Sequence, residues 1–205
     1  MPKRLSLFAS HVERWKNGCG SDQCDPKKKK VVLARGSLPC DVLFVGEAPG
    51  ESENVLGVPF AGPAGRLLDQ IIQASLGGVE TTYPDSTHDT RPLRVAFTNV
   101  VCCIPRDPEN PLEKWTEPED EQIESCRDRL EEFIGKVAKP RLVVMVGKVA
   151  EHWLTQGYKH SIKIPETCKT VAITHPAAIL RAPTVQRDFA VQRCVVTLSN
   201  AVEDL

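Results

Sequence analysis

The sequence lacks long hydrophobic runs, a strong charge of either sign, internal repeats and low-complexity tracts. Its longest apolar stretches, such as residues 142–146, are far shorter than the roughly 20 residues that a transmembrane helix needs, so we expect no membrane partner. Residues 1–4 lead into a mixed amphipathic stretch, so we expect no secretory signal and a cytoplasmic location. The net charge of −1 does not by itself indicate a nucleic-acid-binding protein, although a local basic face such as the lysine run 27–30 can bind phosphate.

The composition indicates one soluble globular domain. The chain has 205 residues, of which 41% are hydrophobic and 26% charged, which is enough for a sizeable core. It also contains 8 cysteines. In an intracellular protein, so many thiols favour metal or redox chemistry over disulfide bonds.

The most informative stretch is residues 42–65. Residues 42–45 are apolar and predict a buried strand that ends at Gly46. A loop rich in glycine and proline follows, and an apolar pattern with helical spacing then begins. In open α/β sheets, ligands bind beyond the carboxyl ends of strands, and a loop of this length is usually functional or disordered. We therefore expect a ligand site here.

The rest of the chain alternates predicted strands with predicted helices. This pattern favours an α/β fold, with three α/β/α layers and a central, mainly parallel, four-stranded sheet. The predicted strands are 42–45, 95–98, 142–146 and 169–173, with a further edge strand at 31–33, and the predicted helices are 5–17, 65–76, 117–137 and 186–200.

Three polar side chains follow three of these strands directly. Glu47, Asn99 and His175 each come just after a strand end. Because the carboxyl ends of parallel strands meet at one edge of a sheet, we expect the three side chains to converge on one pocket.

Four motifs, in this order, resemble the uracil-DNA glycosylase superfamily, and within it the iron–sulfur branch called family 4. They are Gly-Glu-Ala-Pro-Gly at 46–50, the Gly/Pro-rich segment 57–65, Thr-Asn-Val-Val-x-Cys-x-Pro at 98–105 and His-Pro-x-x-x-Leu-Arg at 175–181. The resemblance implies a DNA-repair enzyme that hydrolyses the N-glycosidic bond of uracil in DNA, releasing uracil and leaving an abasic site. No lysine in the motifs is placed for Schiff-base chemistry, so we expect a monofunctional glycosylase.

The resemblance implies one domain over 1–205, with the N-terminal helix and first cysteine pair in 1–30 and a surface insertion at 78–92. Its pocket is expected to contain Gly46, Glu47, Ala48, Phe60, Asn99 and His175. The Asn99 amide would read the uracil edge, Phe60 would stack on the flipped base and His175 would stabilise the departing base. Ala48 stands where other branches have an aspartate that activates the attacking water. Glu47 is therefore the first candidate for this role, and Glu53 is the second.

The last motif implies contacts with DNA. Leu180 could fill the gap left by the flipped base, next to Pro176, and Arg181 would meet a phosphate. The expected partner is single- or double-stranded DNA containing uracil, bound by a monomer.

The resemblance also implies a [4Fe–4S] cluster held by Cys19, Cys24, Cys103 and Cys126. Cys102 is an alternative to Cys103 as the third ligand. Alternation along a strand would turn the two side chains in opposite directions, and the motif favours Cys103. Structural zinc on the same four residues is the alternative metal.

Several positions depart from the family pattern. The first cysteines are separated by four residues where the family usually has two, and Asn54 replaces a frequent acidic residue. Cys102 and Ile104 replace a lysine and an arginine. Two further functions therefore stay open, namely the same fold acting on another deaminated or modified base, and a non-catalytic protein that binds DNA or uracil.

Overall fold

The computed structural model describes residues 6–19, 30–76, 93–106, 116–203 and 205. The expected insertion at 78–92 lies outside these ranges, as do Cys24 and the lysine run up to residue 29. None of the described helices is long and apolar enough to cross a bilayer. The helices are α1 (Leu7–Trp15), α2 (Glu51–Leu56), α3 (Pro63–Leu76), α4 (Asp120–Glu132), α5 (Lys148–Leu154), α6 (Pro176–Arg181) and α7 (Thr184–Val202), and a π-helical segment, Phe133–Ala138, continues α4.

A five-stranded sheet forms the centre of the molecule. Its strands are β1 (Arg35–Gly36), β2 (Val42–Gly46), β3 (Val95–Asn99), β4 (Leu142–Val146) and β5 (Lys169–Ile173). The order across the sheet is β1-β3-β2-β4-β5, and only the β1–β3 pair is antiparallel. Strands β2, β3 and β4 are buried along their whole length, as expected of parallel strands that are covered on both faces.

The two faces of the sheet support separate hydrophobic clusters. Leu43 and Val45 pack towards α4, the π-helical segment and α5, whereas Phe44 and its neighbour Phe97 pack towards α3 and α7. The rings of Phe44 and Phe97 stack with centroids 5.3 Å apart. This alternation of side chains between two helical layers confirms the predicted α/β/α arrangement.

Two details of the predicted sheet are wrong. The sheet has five strands rather than four, and its edge strand is β1 instead of residues 31–33. Val32 donates its backbone N–H to the carbonyl of Cys102, 2.8 Å away, in the bend after β3. Residues 31–33 therefore cover the loop beyond the sheet and are not part of it.

Helix α1 docks on the end of α4 through one carboxylate. Glu132 accepts hydrogen bonds from Trp15 Nε1 at 3.1 Å and from Arg14, and it lies 2.9 Å from His11 Nδ1. Burial lowers the pKa of His11, although its hydrogen bond to Glu132 opposes this. These contacts bring the end of α1, and with it Cys19, to the side of the molecule that α4 covers.

Candidate functional site

The candidate pocket begins where β2 and β3 end side by side. Gly46 and Asn99 are paired in register, and the carbonyls of Gly46 and Glu47 each accept a backbone N–H from the segment after β3, at 2.9 Å. A Cβ at Gly46 would lie 2.4 Å from Asn99 Oδ1 and 2.6 Å from Phe60 Cζ. Glycine is therefore required at position 46 because the amide and the aromatic ring both lie against its backbone.

Phe60 is held rigidly in this pocket. Its φ of 55° is unusual for a bulky residue, and a Cβ at Gly65 would lie 1.7 Å from the Phe60 carbonyl oxygen. Arg35 Nε donates to the carbonyl of Pro59 at 2.9 Å, which ties the loop to the sheet edge. The Phe60 ring is 7% exposed and faces the His175 ring, with centroids 6.5 Å apart and planes at 27°.

The loop between β2 and α3 is more ordered than the sequence predicts, because it contains the short helix α2. Glu53 explains this order. Its Oε2 accepts the N–H of Gly50 at 3.2 Å and its Oε1 accepts the N–H of Gly62 at 3.1 Å. Both oxygens of Glu53 therefore brace the loop backbone, which distinguishes this carboxylate from Glu47.

His175 caps the first turn of α6, and its side chain has a defined tautomer. Nδ1 accepts the backbone N–H of Ala177 at 3.1 Å, so in the neutral ring the proton is on Nε2. Burial lowers the pKa of His175 to about 4, and the charge of Arg181 acts in the same direction. The imidazole is thus neutral at physiological pH, with an Nε2–H available to donate.

Glu47 is the buried carboxylate of the pocket. Its Oε1 is buried and has no hydrogen-bond partner among the described residues. Burial raises the pKa of Glu47 to about 7, the charge of Glu117 raises it further, and Arg181 opposes both. The charge of Arg181 acts on both Glu47 and His175. Asn99 and Phe60 both lie against Gly46, the residue before Glu47, and the Phe60 ring faces His175, so these side chains border one pocket.

The predicted DNA-contact residues lie on the short helix α6. Pro176 is buried, Leu180 is half-buried and Arg181 is exposed. The Leu180 carbonyl accepts a hydrogen bond from Arg187 Nη2 at 2.9 Å. Arg181 is therefore the member of this set that reaches solvent beside the pocket.

The cysteines form a second group on the other side of β3. Cys102 Sγ lies 3.7 Å from Cys126 Sγ and 4.0 Å from Cys103 Sγ, and Cys19 hydrogen-bonds to Cys126. The argument from strand alternation is wrong here, because β3 ends at Asn99 and residues 101–103 form a bend. The sulfurs of Cys102 and Cys103 therefore lie close together.

The cysteine group has the donors of a thiolate-ligated metal site. Cys102, Cys103 and Cys126 are buried. Across the described ranges, no three Cys, His, Asp or Glu side chains already converge on a single metal position. The chemistry of the soft, buried donors nevertheless fits iron–sulfur or zinc binding.

Sequence reasoning missed Arg129, which lies between the pocket and the cysteine group. This residue is 1% exposed, and its guanidinium donates to Thr98 Oγ1 and to the carbonyls of Asn99 and Val100. The signal was present, because position 129 follows Cys126 by three residues and so lies on the same, buried face of α4.

Comparison with known proteins agrees with this architecture. The sequence model of the uracil DNA glycosylase superfamily matches residues 34–198. The chain is 30% identical over 183 residues to a type-4 uracil-DNA glycosylase of Archaeoglobus fulgidus, covering 82% of this chain and 81% of the relative. It is 32% identical over 184 residues to that of Pyrobaculum aerophilum, covering 82% and 83%. The type-4 enzyme of Thermotoga maritima is 32% identical over 162 residues, covering 79% and 73%. Because the superfamily model and these relatives match most of its length, the chain belongs to the uracil DNA glycosylase superfamily.

Proposed function

We propose that this protein is a monofunctional uracil-DNA glycosylase that hydrolyses the bond between uracil and deoxyribose and leaves an abasic site. The observation that carries this proposal is the meeting of an amide, an aromatic ring, a neutral imidazole and a buried carboxylate around Gly46. A glycosylase needs a pocket that accepts a base flipped out of the stack and reads its edge.

Asn99 is the residue that distinguishes uracil from cytosine. Its side chain is 3% exposed and makes no hydrogen bond to other described residues, so the amide is available for a ligand. The amide can donate to O4 of uracil and accept from N3–H. The same orientation turns a donor towards the amino group of cytosine, which rejects that base. Phe60 supplies an apolar face on which the base can stack.

His175 stabilises the negative charge that develops on the departing base. The Nε2–H of a neutral imidazole donates to O2 of uracil as the glycosidic bond breaks, which is the role of an oxyanion donor. The hydrogen bond from Ala177 to Nδ1 supports this tautomer. The base therefore leaves as a stabilised anion without first taking a proton from His175.

Glu47 acts on the sugar side of the reaction. As a carboxylate it can orient the attacking water and stabilise the cationic sugar, whereas Ala48 has no group to do so. Its unpartnered Oε1 supports this role. Both oxygens of Glu53 already accept backbone N–H groups, which favours Glu47 as the catalytic carboxylate.

The DNA strand enters beside α6. We propose that exposed Arg181 binds a phosphate, and that Leu180 and Pro176 border the gap left by the flipped nucleotide. The substrate is single- or double-stranded DNA containing uracil. A monomer supplies the whole pocket, and we expect it to act in the cytoplasm, at the nucleoid.

We further propose that Cys19, Cys24, Cys103 and Cys126 hold a [4Fe–4S] cluster, with structural zinc as the alternative. Such a centre would supply a cross-link among α1, the bend after β3 and α4. The contacts between Cys102 and Cys126 and between Cys19 and Cys126 support a shared centre. It takes no part in breaking the glycosidic bond.

The test uses anaerobically purified protein and end-labelled oligonucleotides with one uracil opposite guanine, opposite adenine, or unpaired. Alkali converts abasic sites to strand breaks, and absorbance near 400 nm reports the cluster. We expect breaks only at uracil and only after alkali. Breaks without alkali would contradict a monofunctional mechanism. No breaks from folded protein would overturn the proposal and favour another base or a binding role.

A further inference from the structure

Arg129 is a buried cation with no counter-charge among the residues that the structure describes. Its guanidinium donates from Nη1 to Thr98 Oγ1 at 3.1 Å, and from Nη2 to the carbonyls of Asn99 and Val100, both at 2.6 Å. All three acceptors are neutral, and Nε has no hydrogen-bond partner in the described part of the chain. No carboxylate forms an ion pair with Arg129 within the described ranges. A buried charge in this state is costly unless an anion lies nearby.

The cysteine group is the available source of negative charge. Arg129 follows Cys126 by one helical turn on the buried face of α4, and it binds the carbonyl of Val100, two residues before Cys102. The sulfurs of Cys102 and Cys126 lie 3.7 Å apart. Four thiolates around a [4Fe–4S] core or a zinc ion leave the centre with a net negative charge, which would compensate the guanidinium.

We infer that Arg129 is a positioning residue that joins the metal centre to the base-reading pocket. Its charge stabilises the thiolate-ligated centre, and its planar fork fixes the backbone carbonyls of Asn99 and Val100, which sets the Asn99 amide at the pocket edge. The claim that Arg129 positions the Asn99 amide rests on the proposed function, whereas the claim that its charge stabilises the metal centre does not.

Two substitutions separate the effect of the Arg129 charge from the effect of its hydrogen-bonding geometry. Arg129→Lys keeps the charge but cannot reach three acceptors, and Arg129→Gln keeps a donor but removes the charge. Arg127→Gln is the matched control on the same helix, because Arg127 pairs with Glu124 and binds the carbonyls of His160 and Ser161 at the surface.

The first measurement is the rate of metal release to a chelator, followed by absorbance near 400 nm and by metal analysis. Partners of metal ligands typically change metal affinity ~10–100-fold, so Arg129→Gln should release metal at least ~10-fold faster than the wild type. Arg129→Lys and Arg127→Gln should release it at the wild-type rate. The second measurement is uracil excision by metal-loaded protein, which both Arg129 variants should lower through a raised KM and a reduced preference for uracil over cytosine.

The inference would be overturned if Arg129→Gln released metal at the wild-type rate. It would also be overturned if Arg129→Gln and Arg129→Lys released metal equally faster than the wild type, because that result would indicate lost packing and not lost charge. If Arg129→Gln does not fold, the test uses Arg129→Lys only. An Arg129→Lys protein that retains its metal but excises uracil less efficiently supports the inference, and one that loses its metal contradicts it. If the wild type removes no uracil from any oligonucleotide, the proposed function fails, while the release rates still decide whether Arg129 compensates the centre.

Discussion

The pocket edge and the cysteine group lie on either side of the end of β3, and they are held in different ways. The pocket edge uses paired parallel strands, with Gly46 in register with Asn99 and backbone hydrogen bonds just beyond both. The cysteine group joins the end of α1, a bend and α4, which meet mainly through side chains such as Glu132 and Arg129. Paired strands therefore place the pocket edge, whereas the cysteine group is held by side-chain contacts between separate elements.

The largest expected effect is at the pocket edge. His175→Ala removes the Nε2–H donor, so kcat for uracil excision should fall ~100–1,000-fold, the usual loss for an oxyanion donor. Single-turnover excision measures it. His152→Ala, an exposed histidine on α5, is the control and should keep the wild-type rate. A His175→Ala enzyme with the wild-type rate would exclude His175 from the chemistry.

Gly46→Ala tests whether the pocket depends on close backbone packing. The new Cβ would overlap with Asn99 Oδ1 and Phe60, and a displacement of about 1 Å at a reacting group can cost ~100-fold in rate. Gly135→Ala is the matched control, because a Cβ there meets nothing within 4 Å. Equal excision rates in the two variants would contradict the described packing of the pocket.

The pH dependence of excision tests Glu47. Its pKa is raised to about 7. We propose that it acts as a carboxylate, so kcat/KM should fall about tenfold per pH unit below pH 7 and level off above it. Glu47→Gln should lower the rate and remove this dependence, whereas Glu53→Gln should keep it. If only Glu53→Gln flattens the profile, the roles of the two carboxylates are reversed.

The smallest effect is expected from Cys102→Ser. With Cys103 as the ligand, this variant should keep its metal content and its excision rate, whereas Cys103→Ser should lose metal. Metal analysis and absorbance near 400 nm measure both. Loss of metal from Cys102→Ser alone would assign the ligand to Cys102, whose sulfur lies 3.7 Å from that of Cys126.

The positions of the pocket residues in the fold could be predicted from the sequence because these residues lie at or just beyond the ends of regular strands. Glu47 follows β2, Asn99 is the last residue of β3 and His175 lies two residues after β5. The parallel arrangement brings these strand ends to one edge of the sheet. The residues after β3 were harder to predict, because a bend has no fixed alternation of side chains, and so the closeness of Cys102 to Cys126 was missed. Arg129 was missed for another reason, since an arginine on a helix is usually exposed.

Helix α2 and Arg35 could not be predicted from the local sequence. Helix α2 is only 6 residues long, and Glu53 stabilises it by accepting N–H groups from Gly50 and from Gly62, which lies outside the helix. Arg35 places its guanidinium 3.8 Å from the centroid of the Phe97 ring and donates to the carbonyl of Pro59 and to Asp69. These contacts depend on residues far apart in the chain.

The most direct test of the pocket is the base preference of Asn99→Ala, measured by single-turnover excision from oligonucleotides with one uracil or one target cytosine. The wild type should remove uracil only. Asn99→Ala should lose most of its preference because it lacks the amide that we propose to pair with O4 and N3–H. Asn200→Ala, on the exposed face of α7, should behave as the wild type. Wild-type preference in Asn99→Ala would contradict the assignment of Asn99 as the residue that reads the base.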